Sequence, residues 1–162
     1  CFVRSDLASR EIIKIMAESG CKEIGIGVET GSQKILNIVN KCTTVEQNTK
    51  AIELARQYKI RSKIFIIIGL PGESKETIAE TEQFIEKTKP DEIDATVYVP
   101  YPNTPITNNP SIYDIKFDDH ELKNAWFKGI PGKYHSMVST SNLSAEEIVE
   151  ARDRIEKKFK RW

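Results

Sequence analysis

Apolar residues along this chain switch between helical and extended spacing, and each switch predicts an element boundary. Phe2-Val3-Arg4 is a short candidate strand. Ile12, Ile13, Ile15 and Met16 form a helical stripe, so a helix is predicted from about Ser9, whose hydroxyl can cap it, to Glu18 before Ser19-Gly20. Glu23 to Glu29 sets Ile24, Ile26 and Val28 against Gly25 and Gly27, a strand whose glycines admit something close to its backbone. Thr30-Gly31-Ser32 turns the chain into a short helix over Gln33 to Val39, with Ile35, Leu36 and Val39 on one face. Thr44-Val45-Glu46-Gln47 is a capping box that opens a longer helix through Ile52 and Ala55 to about Tyr58.

The most apolar stretch comes next, Ile64 to Ile68, too short for a membrane span and too continuous for a half-exposed strand. It predicts a strand buried on both faces, stopped by the turn Gly69-Leu70-Pro71-Gly72. A helix from about Lys75 to Lys87 should turn Ile78, Phe84 and Ile85 inward before Lys89-Pro90-Asp91 ends it. Ile93 to Val99 is the next strand, closed by the rigid turn from Pro100 to Pro105. From Ile106 to about Leu143 the pattern is irregular, broken at Asn108-Asn109-Pro110 and Gly129-Ile130-Pro131-Gly132; so long an irregular run is functional or mobile in most compact domains. Ser144 and Glu147 form a second capping box, opening a helix with Ile148, Ala151, Ile155, Phe159 and Trp162 on one face.

Strands alternating with helices predict an α/β fold wound as a parallel sheet. Four such strands make a partial (β/α) TIM-type barrel, about half of one, over residues 1–105, with residues 106–162 as an irregular segment and a C-terminal helical extension packing on it. Length allows a substantial core in 162 residues. Lys and Arg total 24, as do Asp and Glu, so bulk charge points to neither nucleic acid nor membrane as partner. No apolar run of about 18 residues and no signal peptide are visible, and the expected compartment is the cytoplasm. Cys1, Cys21 and Cys42 form no Cys-x-x-Cys pair and are expected as reduced thiols. His120 and His135 lack helical spacing and further ligands, so no metal site is expected on them. The chain opens on Cys1 rather than Met and is expected to be a piece of something longer.

Gly27-Val28-Glu29-Thr30-Gly31-Ser32, Lys41, Thr43-Thr44-Val45-Glu46-Gln47-Asn48, Gly69-Leu70-Pro71-Gly72-Glu73 and Pro100-Tyr101-Pro102-Asn103-Thr104-Pro105 follow one another in order and spacing. Together they resemble the second half of a radical S-adenosylmethionine (radical SAM) enzyme, in the branch often fused to an upstream cobalamin-binding domain. The resemblance covers roughly residues 1–105. It implies a barrel of parallel strands, SAM as cofactor, and a four-iron, four-sulfur (4Fe-4S) cluster held by Cys-x-x-x-Cys-x-x-Cys. The cluster cleaves SAM to methionine and a 5′-deoxyadenosyl radical, which takes hydrogen from the substrate. No such cysteine motif occurs in this sequence, so the expected object is a fragment, inactive alone, that supplies SAM-contacting strand ends.

The resemblance assigns SAM contact to Glu29 and the methionyl carboxylate to Lys41, and sets Ile66, Ile68 and Gly69 against the adenine, partly through main-chain atoms. A carboxylate such as Glu29 can accept ribose hydroxyls or a ligand ammonium, or can instead cap the following helix near Ser32. Lys41 is either a carboxylate's point charge or a solvated lysine at a helix C-terminus. Arg4 can hold a carboxylate in bidentate fashion or pair with Asp6. Gly25, Gly27, Gly69 and Gly72 give close approach or positive φ; Gly69 to Glu73 lacks the Gly-Lys-Ser/Thr of a phosphate loop. Tyr98, Tyr101 and Thr104 close the last strand, where Tyr can stack or donate; Asn103 stands where the family often has glycine, and Asn tolerates the left-handed conformation. Trp126, Phe127 and Tyr134 fall outside the resemblance and name no substrate.

Two further readings remain open on the residues. One is an iron-free TIM-like enzyme using Glu29 and Lys41 as acid or base and electrophile. The other is a nucleotide-binding or interaction module. That module would dimerise through its exposed sheet edge, and as a fragment the chain is expected to pair its first strand with another chain, or to be poorly soluble for want of one.

Overall fold

The computed structural model describes residues 1–117 and 135–159. His120, Trp126, Phe127, Tyr134 and Trp162 lie outside them. Four strands, β1 (Phe2–Val3), β2 (Glu23–Glu29), β3 (Arg61–Ile68) and β4 (Glu92–Val97), form one sheet in sequence order with every pairing parallel. The connections carry a 3-10 turn (Ser5–Leu7) and α1 (Arg10–Glu18), then α2 (Gln33–Ile38) and α3 (Val45–Gln57), then α4 (Lys75–Thr88). This is the partial TIM-type barrel the alternation predicts.

The local signals act where they stand. Ser9 Oγ accepts from Ile12 N–H at 3.2 Å to start α1. The Thr44 box closes at 2.8 and 3.1 Å. Ser144 and Glu147 exchange bonds of 3.0 and 3.2 Å at the head of α6 (Ala145–Phe159). Each cap satisfies N–H groups that a helix leaves without internal partners.

β3 departs from the expectation of burial on both faces. Ile64, Ile66 and Ile68 are fully buried, while Lys63, Phe65 and Ile67 are only partly so. The same alternation runs through β4, where Ile93, Ala95 and Val97 are buried and Glu92, Asp94 and Thr96 are not. The outer face carries Ile and Val against the helices and supplies most of the core, with Ile13, Ile52, Ile78, Ile148 and Ile155 opposite. The inner face is polar: Lys63 pairs with Glu92 at 2.7 Å and approaches Asp94 at 3.9 Å, and Glu92 is the main influence holding Lys63 above its ordinary pKa. A four-stranded sheet does not close on itself, so one face is covered by helices while the other stays half-open, and successive residues alternate between the two. The α1 stripe is also narrower than expected, with Ile13 buried and Ile12 and Ile15 exposed.

Among the described residues, the segment after β4 is less irregular than its sequence. Asn103 adopts φ 62°, the left-handed conformation, and Thr104 caps a one-turn helix, α5 (Pro105–Asn108), with Pro at its first position. β5 (Lys116–Phe117) and β6 (Val138–Ser139) pair antiparallel; two-residue strands are too short for a periodicity to announce them.

The two edges of the sheet differ. At β4, Ala95 N–H donates to Glu156 Oε1 at 2.8 Å and Ala95 C=O accepts from Arg152 Nε at 2.9 Å, both side chains coming from α6. Arg152 and Glu156 lie 3.8 Å apart, one turn from each other. They occupy the two main-chain groups of Ala95 that a fifth strand would otherwise use. At β1 the exposed Phe2 marks an edge paired only with β2.

Candidate functional site

At the C-terminal end of β2 the chain does something unusual for a side chain with a Cβ. Glu29 sits at φ 64°, after a register shift between Gly27 and Glu29 against β3, and strain of this kind concentrates at functional positions. Its carboxylate lies back along the strand and accepts from Lys41 Nζ at 2.5 Å, with both side chains about four-fifths buried. Gly27 makes this possible. A Cβ there would fall 2.7 Å from Glu29 Oε1 and 3.2 Å from Lys41 Nζ.

Lys41 is delivered by the end of α2. Asn40 takes the left-handed conformation, φ 51°, and the N–H groups of Asn40 and Lys41 donate back to Asn37 C=O at 3.2 Å and Leu36 C=O at 3.0 Å. That pair of bonds is a Schellman ending with Asn in the glycine's place. The turn from β2 to α2 is itself pinned: Thr30 and Thr81 hydroxyls meet at 3.0 Å, Gly31 N–H donates to Thr81 Oγ1 at 2.9 Å, and Ser32 N–H donates to Thr30 Oγ1 at 3.1 Å. Glu29 therefore does not cap α2, and Lys41 is not a solvated lysine.

A cleft of about 320 Å³ opens over this pair, with Arg4, Gly25, Thr43 and Phe65 among its walls. Arg4 binds Asp6 in bidentate fashion, both bonds 3.1 Å; the hydrogen bond from Arg4 holds the exposed Asp6 carboxyl below its usual pKa. Phe2 and Phe65 stand 5.7 Å apart between ring centres along the same inner face. The cleft thus gathers Arg4, Gly25, Gly27, Glu29 and Lys41 from the expected set. Its balance of cations and anions suits a zwitterion beside a flat apolar wall.

The other expected positions lie elsewhere. Ile66 and Ile68 turn their side chains into the helix-facing core and are wholly buried, leaving only their main chain for any ligand; Phe65 and Ile67 carry the inner face. Gly69 gives its N–H to Glu73 Oε2 at 2.5 Å. Tyr101 is exposed and outside the cleft walls. Burial raises the Tyr98 phenol's pKa.

Sequence reasoning passed over Phe65, Ser5, Thr43 and Glu73. The alignment of Lys63 on β3 with Glu92 and Asp94 on β4 was the signal for the first: charges on one face of adjacent strands mark a face that is not core, and Phe65 and Ile67 share it. Glu73 closes the Gly69-Leu70-Pro71-Gly72-Glu73 motif, but nothing in its spacing announced burial, since a Glu after Gly-Leu-Pro-Gly reads as a helix start. It is fully buried, and burial pushes its pKa from 4.5 up to about 8 against the lowering effect of the Gly69 and Leu70 N–H groups.

A family profile described as "Radical SAM superfamily" matches residues 2–85. The chain belongs to the radical SAM superfamily. Over 97 residues, 60% of this chain and 16% of the relative, it is 36% identical to the anaerobic magnesium-protoporphyrin IX monomethyl ester cyclase of Cereibacter sphaeroides. Among solved radical SAM structures, coproporphyrinogen III oxidase (HemN) from Escherichia coli superposes with TM-score 0.66 at 15% identity, covering 96% of this chain and 30% of that one. The radical SAM methyltransferase TsrM from Kitasatospora setae, solved with cobalamin and a [4Fe-4S] cluster bound, gives 0.60 at 19% identity, covering 65% and 20%. At so low an identity these structures establish the fold, and this chain spans less than a third of each of the three proteins. The radical SAM relatives are enzymes, and this chain carries part of such an enzyme's barrel.

The two cofactors of the superfamily fit this chain unequally. The cradle over Gly27, lined by one carboxylate and one ammonium, suits an amino acid nucleoside such as SAM. The cluster has no ligand set: among the described residues no group of three or more His, Cys, Asp or Glu could hold a metal ion. Among them, too, no helix is long and apolar enough to cross a membrane.

Proposed function

We propose that this chain is the C-terminal part of a radical SAM catalytic barrel and that its cleft holds SAM, with the Glu29–Lys41 pair across Gly27 as the observation that carries the reading. Lys41 meets the methionyl carboxylate and Glu29 accepts from the ribose hydroxyls. The main chain at the end of β3, with Phe65 and Ile67 beside it, forms the wall for the adenine. SAM when bound supplies the sulfonium bond whose cleavage yields the 5′-deoxyadenosyl radical. The cluster ligands come from residues outside this chain, and so does the remainder of the barrel. The cobalamin in TsrM supports an upstream cobalamin-binding domain as an extension of the same reading, and the unpaired cysteines support a reducing, cytoplasmic setting. The substrate is a small molecule or a group yet to be named, with neither nucleic acid nor membrane as partner.

Because Glu29 and Lys41 are already paired, an incoming ligand takes over both halves of an existing contact. A hydrogen bond to a charged group contributes about 1.5–3 kcal/mol, and about 1.4 kcal/mol is a factor of ten. In the full-length protein, Lys41→Ala is therefore expected to weaken SAM binding by about tenfold or more in anaerobic titration calorimetry. Glu29→Gln keeps an acceptor for ribose and removes Lys41's internal competitor, so it should weaken binding less. SAM binding unchanged in Lys41→Ala would overturn the assignment. Failure of the reduced full-length protein to release 5′-deoxyadenosine from SAM would favour an iron-free enzyme instead.

A further inference from the structure

Glu73 is a buried acid with no counter-charge among the described residues. Its Oε2 accepts from Gly69 N–H at 2.5 Å and its own N–H closes the turn on Leu70 C=O at 3.0 Å. Its Oε1 meets no partner among the described residues. Glu73 is fully buried, and the turn that it closes is walled by hydrocarbon: a Cβ built on Gly69 would lie 3.0 Å from Ile148 Cγ2 of α6 and 3.5 Å from Val138 of β6, and one on Gly72 would lie 2.7 Å from Ile38 Cδ1 at the end of α2. The charged groups nearby in sequence are engaged at the surface. Lys75 of α4 pairs with Glu147 of α6 at 2.7 Å, and Glu76 accepts from Ser74 Oγ at 2.7 Å. Neither they nor any other described charge perturbs Glu73, whose pKa shift comes from burial and two backbone N–H groups alone.

We infer that Glu73 is a positioning residue, a proton-operated catch that holds the β3–α4 turn shut while its carboxyl group is neutral and lets it loosen on ionisation. The neutral acid fits an apolar pocket and still accepts from Gly69. The carboxylate keeps the same two donors but loses its hydration without gaining a cation, and a buried unpaired charge is relieved by admitting water. What loosens is the last turn of β3, the segment that presents main chain at the ligand end of the sheet. The catch goes beyond the SAM reading and does not depend on it.

The direction follows from linkage. The unfolded carboxyl ionises near 4.5 and the folded one at about 8. Between those values the folded chain keeps a proton that the unfolded chain has lost. This contribution to stability is therefore complete below 4.5, declines as pH rises, and is gone above about 8.

Amide hydrogen exchange on the intact chain tests the catch. After correction for intrinsic rates, protection of the Gly69 and Leu70 amides should fall about tenfold or more from about pH 6 to about pH 9, while Thr81 and Ile85 within α4 hold theirs. Glu73→Gln should stay flat across that range, and Glu73→Ala should be poorly protected at both ends. Flat protection in the wild-type protein, or the same fall in Glu73→Gln, overturns the proposal. Should the variants fail to fold, the wild-type carbon-13 carboxyl shift of Glu73 still decides. A midpoint near 8 supports the catch, and one near 4.5 removes it.

Discussion

Gly31→Ala is expected to be among the most damaging single-atom additions to this chain. A Cβ at position 31 would lie 2.6 Å from Phe84 Cβ, 2.7 Å from Thr81 Cα and 2.9 Å from Glu80 C=O. Two of those three atoms are backbone of α4, so no rotamer change makes room. The helix must move, or the β2–α2 turn must lift off it and break the Gly31–Thr81 hydrogen bond. Overpacking of this kind costs about 1–3 kcal/mol when side chains can yield, and more when they cannot; about 3 kcal/mol or more is expected, lowering Tm by roughly 6–12 °C at this chain length. Gly25→Ala is the control. Its Cβ would meet Phe2 Cδ1 at 2.8 Å and Phe65 Cε2 at 2.9 Å, ring edges of which the first belongs to a largely exposed side chain that can swing away. Thermal melts showing equal losses for the two variants would contradict the account.

Ile66→Ala and Ile67→Ala should differ sharply although the residues are neighbours and chemically identical. Ile66 is wholly buried against the helices, and truncation there removes transfer energy and leaves a cavity, about 2–5 kcal/mol together. Ile67 lies on the half-open inner face, where truncation exposes little new surface and should cost about 1 kcal/mol or less. Its effect should appear instead as weaker SAM binding in the full-length protein. Chemical denaturation of both variants separates them, and comparable midpoints would mean that the strand's two faces are assigned the wrong way round.

Much of this architecture was readable from residues that act locally. Ser9, Thr44 and Ser144 each cap the helix that their spacing announces, and the four strands fall where Val3, Ile26, Ile66 and Ile93 sit in their patterns. What could not be read depends on facing. Four isoleucines in five positions look alike whether a sheet is covered once or twice, and only the charges on β4 reveal an open side. The Glu29–Lys41 contact spans twelve residues. It needs a left-handed Glu29, a Schellman ending on Asn rather than Gly, and an empty position at Gly27, and none of these is a propensity. Glu73 is less legible still, because what marks it is the absence of a counter-charge among the described residues.

The unlike edges of the sheet bear on how copies of this chain would assemble. A sheet open at both ends can recruit a neighbour on each side and run on into a filament. Here, among the described residues, Arg152 and Glu156 already hold Ala95's main-chain groups, so of this sheet's two edges β1 is the one left open. Two chains meeting edge to edge at β1 would use up both open edges in one closed, two-fold contact. If the isolated chain associates by this route, light scattering is expected to level off at twice the chain mass rather than climb with concentration.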